Sequence, residues 1–245
     1  MENRVDRSNM LKEFYIPTYI FVPESPVEHV SQIPTCPVIV FINTKSGGQL
    51  GRDLIVTYRK LLNHAQVFDL LDETPDNVLH KLYSNLERLK HIGDTLASEI
   101  YKRLRLIVAG GDGTAGWLLG VVSDLKLVHP PPVATVPLGT GNNLPFSFGW
   151  GKRNPGTDQD SVISFLQSVR EAREMNIDRW LAYRHENGKP KRNILTRIAG
   201  VFGITSVWVS SLFKKGMDAQ VSYAFHSERK LHPEKFKNQL SNQVK

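Results

Sequence analysis

The residues best placed to do chemistry stand in one stretch, LIVAGGDGTAGWLLG, from Leu106 to Gly120. A short apolar run, Leu106 to Ala109, is bounded by glycine and reads as a buried strand. From Ala115 to Val122 the spacing of Trp117, Leu118 and Val121 turns helix-like. Gly110, Gly111 and Gly113 therefore sit on a strand-to-helix turn, where glycine allows positive φ and close approach to bare amides. The start of a helix adds unpaired N–H groups and a positive dipole end. Such a cradle suits an anion, above all phosphate. Asp112 in its middle would repel phosphate unless a cation lay between them. Mg²⁺ takes carboxylate and phosphate oxygens together, so the stretch points to Mg–nucleotide binding. The plainer alternative is a glycine turn with Asp112 as a helix cap.

Several familiar nucleotide motifs are excluded. Gly111-x-Gly113-x-x-Gly116 has dinucleotide-fingerprint spacing, but residues 134–149 contain no Asp or Glu to hold a ribose, and Trp117 is bulky at the helix start. No H-R-D or D-F-G follows as in protein kinases. Lys45-Ser46 precedes its glycines, the reverse of a P-loop.

The elements that must position this turn alternate along the chain. A strand from Val38 to Ile42 runs into Asn43, Lys45, Ser46, Gly47 and Gly48. A helix is expected over Arg52–Leu62, a strand over Ala65–Leu70, and a helical stretch from the Thr74-Pro75 start to Arg103, broken near Gly93. A strand over Val133–Val136 ends in Gly139, Thr140, Gly141, Asn142 and Asn143. The alternation predicts an α/β fold with a parallel sheet covered on both faces. Three strands end in glycine-rich loops, and ligands bind beyond the carboxyl ends of such strands. The side chains of Asn43, Lys45, Ser46, Asp112, Thr114, Thr140, Asn142 and Asn143 would supply donors and acceptors there.

The 245 residues suffice for one large domain or two small ones. One cysteine, Cys36, excludes an internal disulfide and fits a reducing, cytoplasmic compartment. The net charge of +7 is concentrated in residues 181–245, with 12 Lys/Arg against 4 Asp/Glu. Such a region can meet anionic lipid or remain solvated surface. Zinc spacing and RNP-like motifs are missing, so nucleic acid is not the expected partner. Residues 1–36, interrupted by Pro17, Pro23, Pro26 and Pro34, read as a partly ordered lead-in.

The three loops together, PVIVFINTKSGG, LIVAGGDGTAGW and PLGTGNNLPFSFGWGKRNPGTD, resemble the diacylglycerol kinases, especially the plant type. The likeness runs from Pro37 to Trp180 and returns over Gly216–Leu240, about two thirds of the chain. The Gly-Gly-Asp-Gly-Thr core is also found in NAD kinases and phosphofructokinases; Trp117 and the Pro-Leu-Gly-Thr-Gly-Asn run set the lipid kinases apart. The resemblance implies transfer of the γ-phosphoryl of ATP to diacylglycerol at a membrane surface. It puts ATP and Mg²⁺ under the glycine loops and makes Asp112 the essential acid, a direct or indirect ligand of Mg²⁺. It also implies an α/β catalytic domain over 37–175 and a β-rich accessory domain over 176–245, here incomplete.

Two departures qualify the resemblance. Lys191–Lys215 lacks the family's aromatic strand, and its uncharged run Ile198–Phe213, rich in β-branched residues, favours strand or core over a membrane span. The family's general base is assigned to an Asp-Gly-Glu-type motif, which is not found before Lys245. The expectation is therefore a truncated form with little activity of its own. The alternative is a non-catalytic product that keeps the ATP cleft and competes or associates with full-length copies.

Overall fold

The computed structural model describes residues 2–48, 50–181 and 191–200. A central six-stranded sheet has the order β2-β1-β3-β4-β6-β5. Its strands are β1 (Val38–Ile42), β2 (Val67–Asp69), β3 (Arg105–Gly110), β4 (Val133–Pro137), β5 (Arg173–Leu181) and β6 (Lys191–Gly200). β1 pairs in parallel with both β2 and β3, and β3 pairs in parallel with β4. β6 joins β4 in parallel through Val133 and Ile198, and β5 closes the edge antiparallel to β6. Every residue of β1 and β4 is buried, as the unbroken apolar runs demand of strands covered on both faces.

The helices are α1 (Glu2–Lys12), α2 (Leu50–Leu61), α3 (Pro75–His91), α4 (Thr95–Arg103), α5 (Asp112–Asp124), α6 (Asn143–Ser147) and α7 (Gln159–Glu171). The chain steps from β1 outward to β2, then crosses back over β1 to β3. Right-handed crossovers then put α2 on one face and α3 to α5 on the other. α2 packs against α7, while α3 packs against α4 and α5. The reversal falls between β1 and β3, the position where open α/β sheets leave a crevice.

Most of the expected elements are present, with informative shifts. The break at Gly93 occurs, at φ +87°, and Asp94 caps α4 by accepting from the Ala97 N–H. The Thr74-Pro75 start of α3 also occurs as expected. The strand expected over Ala65–Leu70 is split: His64–Gln66 forms a 3-10 turn before β2. α5 begins at Asp112, three residues earlier than its apolar spacing indicates.

The lead-in is better packed than its prolines suggest. Phe14, Ile16 and Ile20 are fully buried in the core. Gln66, itself fully buried, donates through Nε2 to the carbonyls of Phe14 and Val38 and accepts from the Ile16 N–H. Asn85 donates to the carbonyls of Tyr19 and Ile20. Of the accessory domain expected over 176–245, Asn176–Leu181 and Lys191–Gly200 run in this same sheet. Ile198–Gly200 of the apolar run ends β6, and residues 201–213 lie outside the described residues. No helix among the described residues is long and apolar enough to cross a membrane.

Candidate functional site

The three glycine loops leave the carboxyl ends of β1, β3 and β4 and touch one another. The Asn43 N–H donates to the Ala109 carbonyl, and the Leu138 N–H donates to the Gly110 carbonyl, so the strand pairing continues into the loops. Asn43 Nδ2 then donates to Thr114 Oγ1 at 3.2 Å, tying the first loop to the start of α5 across the crevice.

The glycines of the second and third loops serve close packing. Gly110, Gly111 and Gly113 are not among the positive-φ residues, contrary to expectation. A Cβ on Gly110 would lie 2.5 Å from the Thr114 side chain, and one on Gly139 would lie 2.3 Å from the Gly111 Cα. Here backbone lies directly on backbone, which no larger residue permits. Gly113 differs: a Cβ there would meet nothing within 4 Å, and the residue is exposed. Positive φ is confined to the first loop, at Gly47 (+67°) and Gly48 (+70°). A Cβ on Gly47 would lie 3.0 Å from the Leu138 carbonyl oxygen, which brings the first loop against the third.

Asp112 locks this joint. Its own N–H donates to the Gly141 carbonyl at 3.0 Å. Its carboxylate accepts from the Asn143 N–H at 3.0 Å and the Leu144 N–H at 2.8 Å, the first amides of α6. It is thus a cap, as the plainer reading allowed, but for α6 of the neighbouring loop and not for its own helix. A helix leaves its first N–H groups without internal partners, and a carboxylate is a favourable acceptor for them.

The other expected site residues divide by role. Asn142 is buried, and its side chain is spent on the loop itself: Oδ1 accepts from Gly139 N–H, and Nδ2 donates to the carbonyls of Gly139 and Lys152. Asn43 Oδ1 accepts from the Lys45 N–H, and the Asn43 carbonyl from the Ser46 N–H. Lys45 and Asn143 are exposed at the rim, and Ser46 and Thr140 are half-buried.

Three residues that shape the site escaped the sequence reading. Thr44 is buried and donates through Oγ1 to Asp69 at the end of β2, at 2.7 Å to the nearer oxygen. Asp69 also accepts from the Leu71 N–H. Gly51 in the first turn of α2 lies so close to the first loop that a Cβ would be 2.8 Å from the Asn43 carbonyl oxygen. Its place as the third glycine of KSGGQLG was the available signal. No cluster of three or more His, Cys, Asp or Glu that could hold a metal occurs among the described residues.

The arrangement offers a short floor of backbone amides, one carboxylate and a cationic rim. A family model for the diacylglycerol kinase catalytic domain matches residues 37–176. Diacylglycerol kinase 1 of Oryza sativa subsp. japonica is 57% identical over 256 residues, covering 95% of this chain and 51% of that protein. Diacylglycerol kinase 5 of Arabidopsis thaliana is 54% identical over 268 residues, covering 99% and 52%. Diacylglycerol kinase theta of Homo sapiens is 39% identical over 213 residues, covering 85% and 20%. A crystal structure of a diacylglycerol kinase from Bacillus anthracis str. Sterne matches with a TM-score of 0.33 at 18% identity, over 58% of this chain and 44% of that one, too loosely to add to the argument. The chain spans about half the length of the two plant relatives. With residues 37–176 matched and both plant proteins more than half identical to it, the chain belongs to the diacylglycerol kinase catalytic-domain family.

Proposed function

We propose that this chain is the nucleotide-binding part of a lipid kinase that transfers the γ-phosphoryl group of ATP to diacylglycerol, giving phosphatidic acid. The observation that carries the reading is the meeting of three strand-terminal loops: Asn43 bonds Thr114 across the switch point between β1 and β3, Gly47 lies against Leu138, and Gly111 and Asp112 pack on Gly139 and the start of α6. The N–H groups of Gly113 and Thr114, in the first turn of α5, are those a helix leaves for an outside acceptor, and the open space at Gly113 admits a phosphate. Lys45 stands at the rim as a further cation.

A divalent cation fits at Asp112. Each carboxylate oxygen accepts one N–H and keeps a second lone pair. Gly113 and Gly141 add no side chain beside it. Mg²⁺ is commonly held by one or two carboxylates with water and phosphate completing the shell, so one acid suffices. When bound, Mg²⁺ would neutralise charge on the transferring group.

In the reaction the lipid hydroxyl oxygen forms a bond to the γ-phosphorus. The bond from that phosphorus to the bridging oxygen breaks, and ADP leaves with the electron pair. The hydroxyl proton passes to a base or to water. The residues named here hold the phosphates in line, and such alignment supplies much of phosphoryl-transfer catalysis. Since ATP is cytoplasmic and diacylglycerol lies in the bilayer, the site would work at the cytoplasmic membrane surface.

The test pairs two measurements. Calorimetry of the chain with Mg–ATP should give saturable one-to-one binding. A longer protein made by joining the chain to the remainder of the Oryza sativa relative should form labelled phosphatidic acid from γ-labelled ATP and diacylglycerol in mixed micelles. Absence of label from lipid in a folded, nucleotide-binding longer protein would refute the substrate assignment.

A further inference from the structure

Two of the large apolar side chains exposed on the described surface are aromatic: Trp117, 42% exposed, and Phe146, 55% exposed. Both stand on helices whose first turns meet at the Asp112 carboxylate. At 1.5 Å rise per residue, Trp117 lies about 7.5 Å along α5 from Asp112, and Phe146 about 4.5 Å along α6 from Asn143. Helical side chains lean toward the helix start, so both lean toward the loops.

The turn after Phe146 is built to hold it outward. Trp150 is buried, packs on Phe165 with ring centroids 4.9 Å apart, and donates its N–H to the Pro145 carbonyl. Gly149 and Gly151 flank it in the left-handed region, at +82° and +84°. Asn142 holds the Lys152 carbonyl, while Lys152 Nζ sits 4.4 Å from the centre of the Phe146 ring. A core anchor and two glycine bends thus present Phe146, Lys152 and Arg153 together, all exposed.

We propose that this tip, with Trp117 on the adjoining α5, is the surface by which the chain docks on an anionic phospholipid bilayer. The inference rests on the reading of the cleft as the site of a bilayer-borne alcohol, and it names the surface that brings cleft and bilayer together. Charge favours this occupant: Lys152 and Arg153 are exposed on the tip and Lys45 on the first loop, while Asp112 turns its oxygens to the α6 amides. Aromatic rings settle at the headgroup level, and basic side chains beside them gain from anionic lipid. At such a surface the buried apolar area and the attraction to anionic lipid add. Docking would set the mouth of the cleft against the headgroups and leave its floor to the nucleotide.

The experiment is flotation of the purified chain with vesicles of phosphatidylcholine, with and without phosphatidylserine, in the absence of nucleotide. The parent should float with the anionic vesicles and be released by salt. Phe146→Ala and Trp117→Ala should each weaken binding about tenfold, from lost apolar burial. Lys152→Gln and Arg153→Gln should each weaken it about fivefold. All four should keep the parent's thermal midpoint and Mg–ATP affinity. Failure of the parent to float overturns the proposal. So does flotation indifferent to all four changes, which would assign lipid contact to another segment. Loss of a self-association by Phe146→Ala and Trp117→Ala, with flotation unchanged, would assign the patch to a second copy and equally overturn it. The kinase reading fails separately. A chain that docks through these residues while the longer protein makes no phosphatidic acid refutes the substrate. A longer protein that phosphorylates dispersed short-chain diacylglycerol while vesicle binding ignores the patch refutes the docking surface alone.

Discussion

Replacing Asp112 with Asn keeps the shape of the side chain and removes its charge. One oxygen remains to accept from either Asn143 or Leu144, while the new amide nitrogen faces the other N–H as a second donor. A hydrogen bond to a charged acceptor contributes about 1.5–3 kcal/mol. The Asn143 end is exposed, so water takes much of that loss; the Leu144 end is part-buried and bears most of it. The net expectation is about 2 kcal/mol, or a thermal midpoint lower by about 4–8 °C for a chain of this size. Ligand binding separates the functional role from the structural one. With Mg²⁺ present, ATP affinity should fall at least about tenfold, because the carboxylate no longer helps hold the cation. Without Mg²⁺ the variant should bind ATP at least as well as the parent, since a negative charge facing phosphate is gone. Differential scanning fluorimetry and calorimetry with and without Mg²⁺ read both effects. A variant that keeps the parent's Mg²⁺ preference would refute the cation-holding role and leave Asp112 as the latch of α6 alone.

Gly113 and Gly139 should respond oppositely to alanine. Gly113→Ala meets open space within a helix, so it should stabilise the fold by about 0.5 kcal/mol while weakening Mg–ATP binding by occupying the cradle. Gly139→Ala drives a methyl into the Gly111 backbone and should lower stability by about 1–3 kcal/mol and abolish nucleotide binding; chemical denaturation and calorimetry check both. Gln66→Ala removes three buried hydrogen bonds and leaves the Ile16 N–H without its acceptor, while the Phe14 carbonyl keeps the Val38 N–H; the cost should be about 3–5 kcal/mol, read as a lower urea midpoint with little change in the slope. Burial pushes the Cys36 thiol up from 9.0 to about 11, so the thiol ionises in the unfolded chain before it does in the folded one. Its contribution is intact below pH 9 and lost as pH rises toward 11, by about 2–3 kcal/mol. Cys36→Ala should flatten that part of the alkaline stability curve, and native Cys36 should resist disulfide reagents at pH 8.

The glycine loops were legible because a buried parallel strand and the turn beyond it leave a local mark, an apolar run stopped by glycine. Their convergence followed from the alternation of strand and helix. What glycine does there was not legible. Positive φ is a local property, whereas the contact of Gly111 with Gly139 joins residues far apart in sequence. The early start of α5 was hidden because Gly113 and Gly116 break the apolar spacing, although the amides of that turn are what matters. Asn142 read as a ligand-facing group because a polar residue beside a glycine loop carries no sign of where its side chain points; burial turns it inward. Gln66 sat inside a strand-like alternation, and nothing in AQVFDL shows that its amide serves as a substitute backbone partner for distant residues.

That last arrangement bears on the order in which the chain can assemble as it is made. Phe14, Ile16, Tyr19 and Ile20 leave the ribosome before Gln66 and Asn85, yet each has a backbone group held by one of those two side chains. At roughly 5–20 residues per second, Asn85 leaves the ribosome some 3–13 s after Ile20. Until then those backbone groups keep water as their partner. Removing residues 14–20 would leave the side-chain amides of Gln66 and Asn85 without these backbone partners.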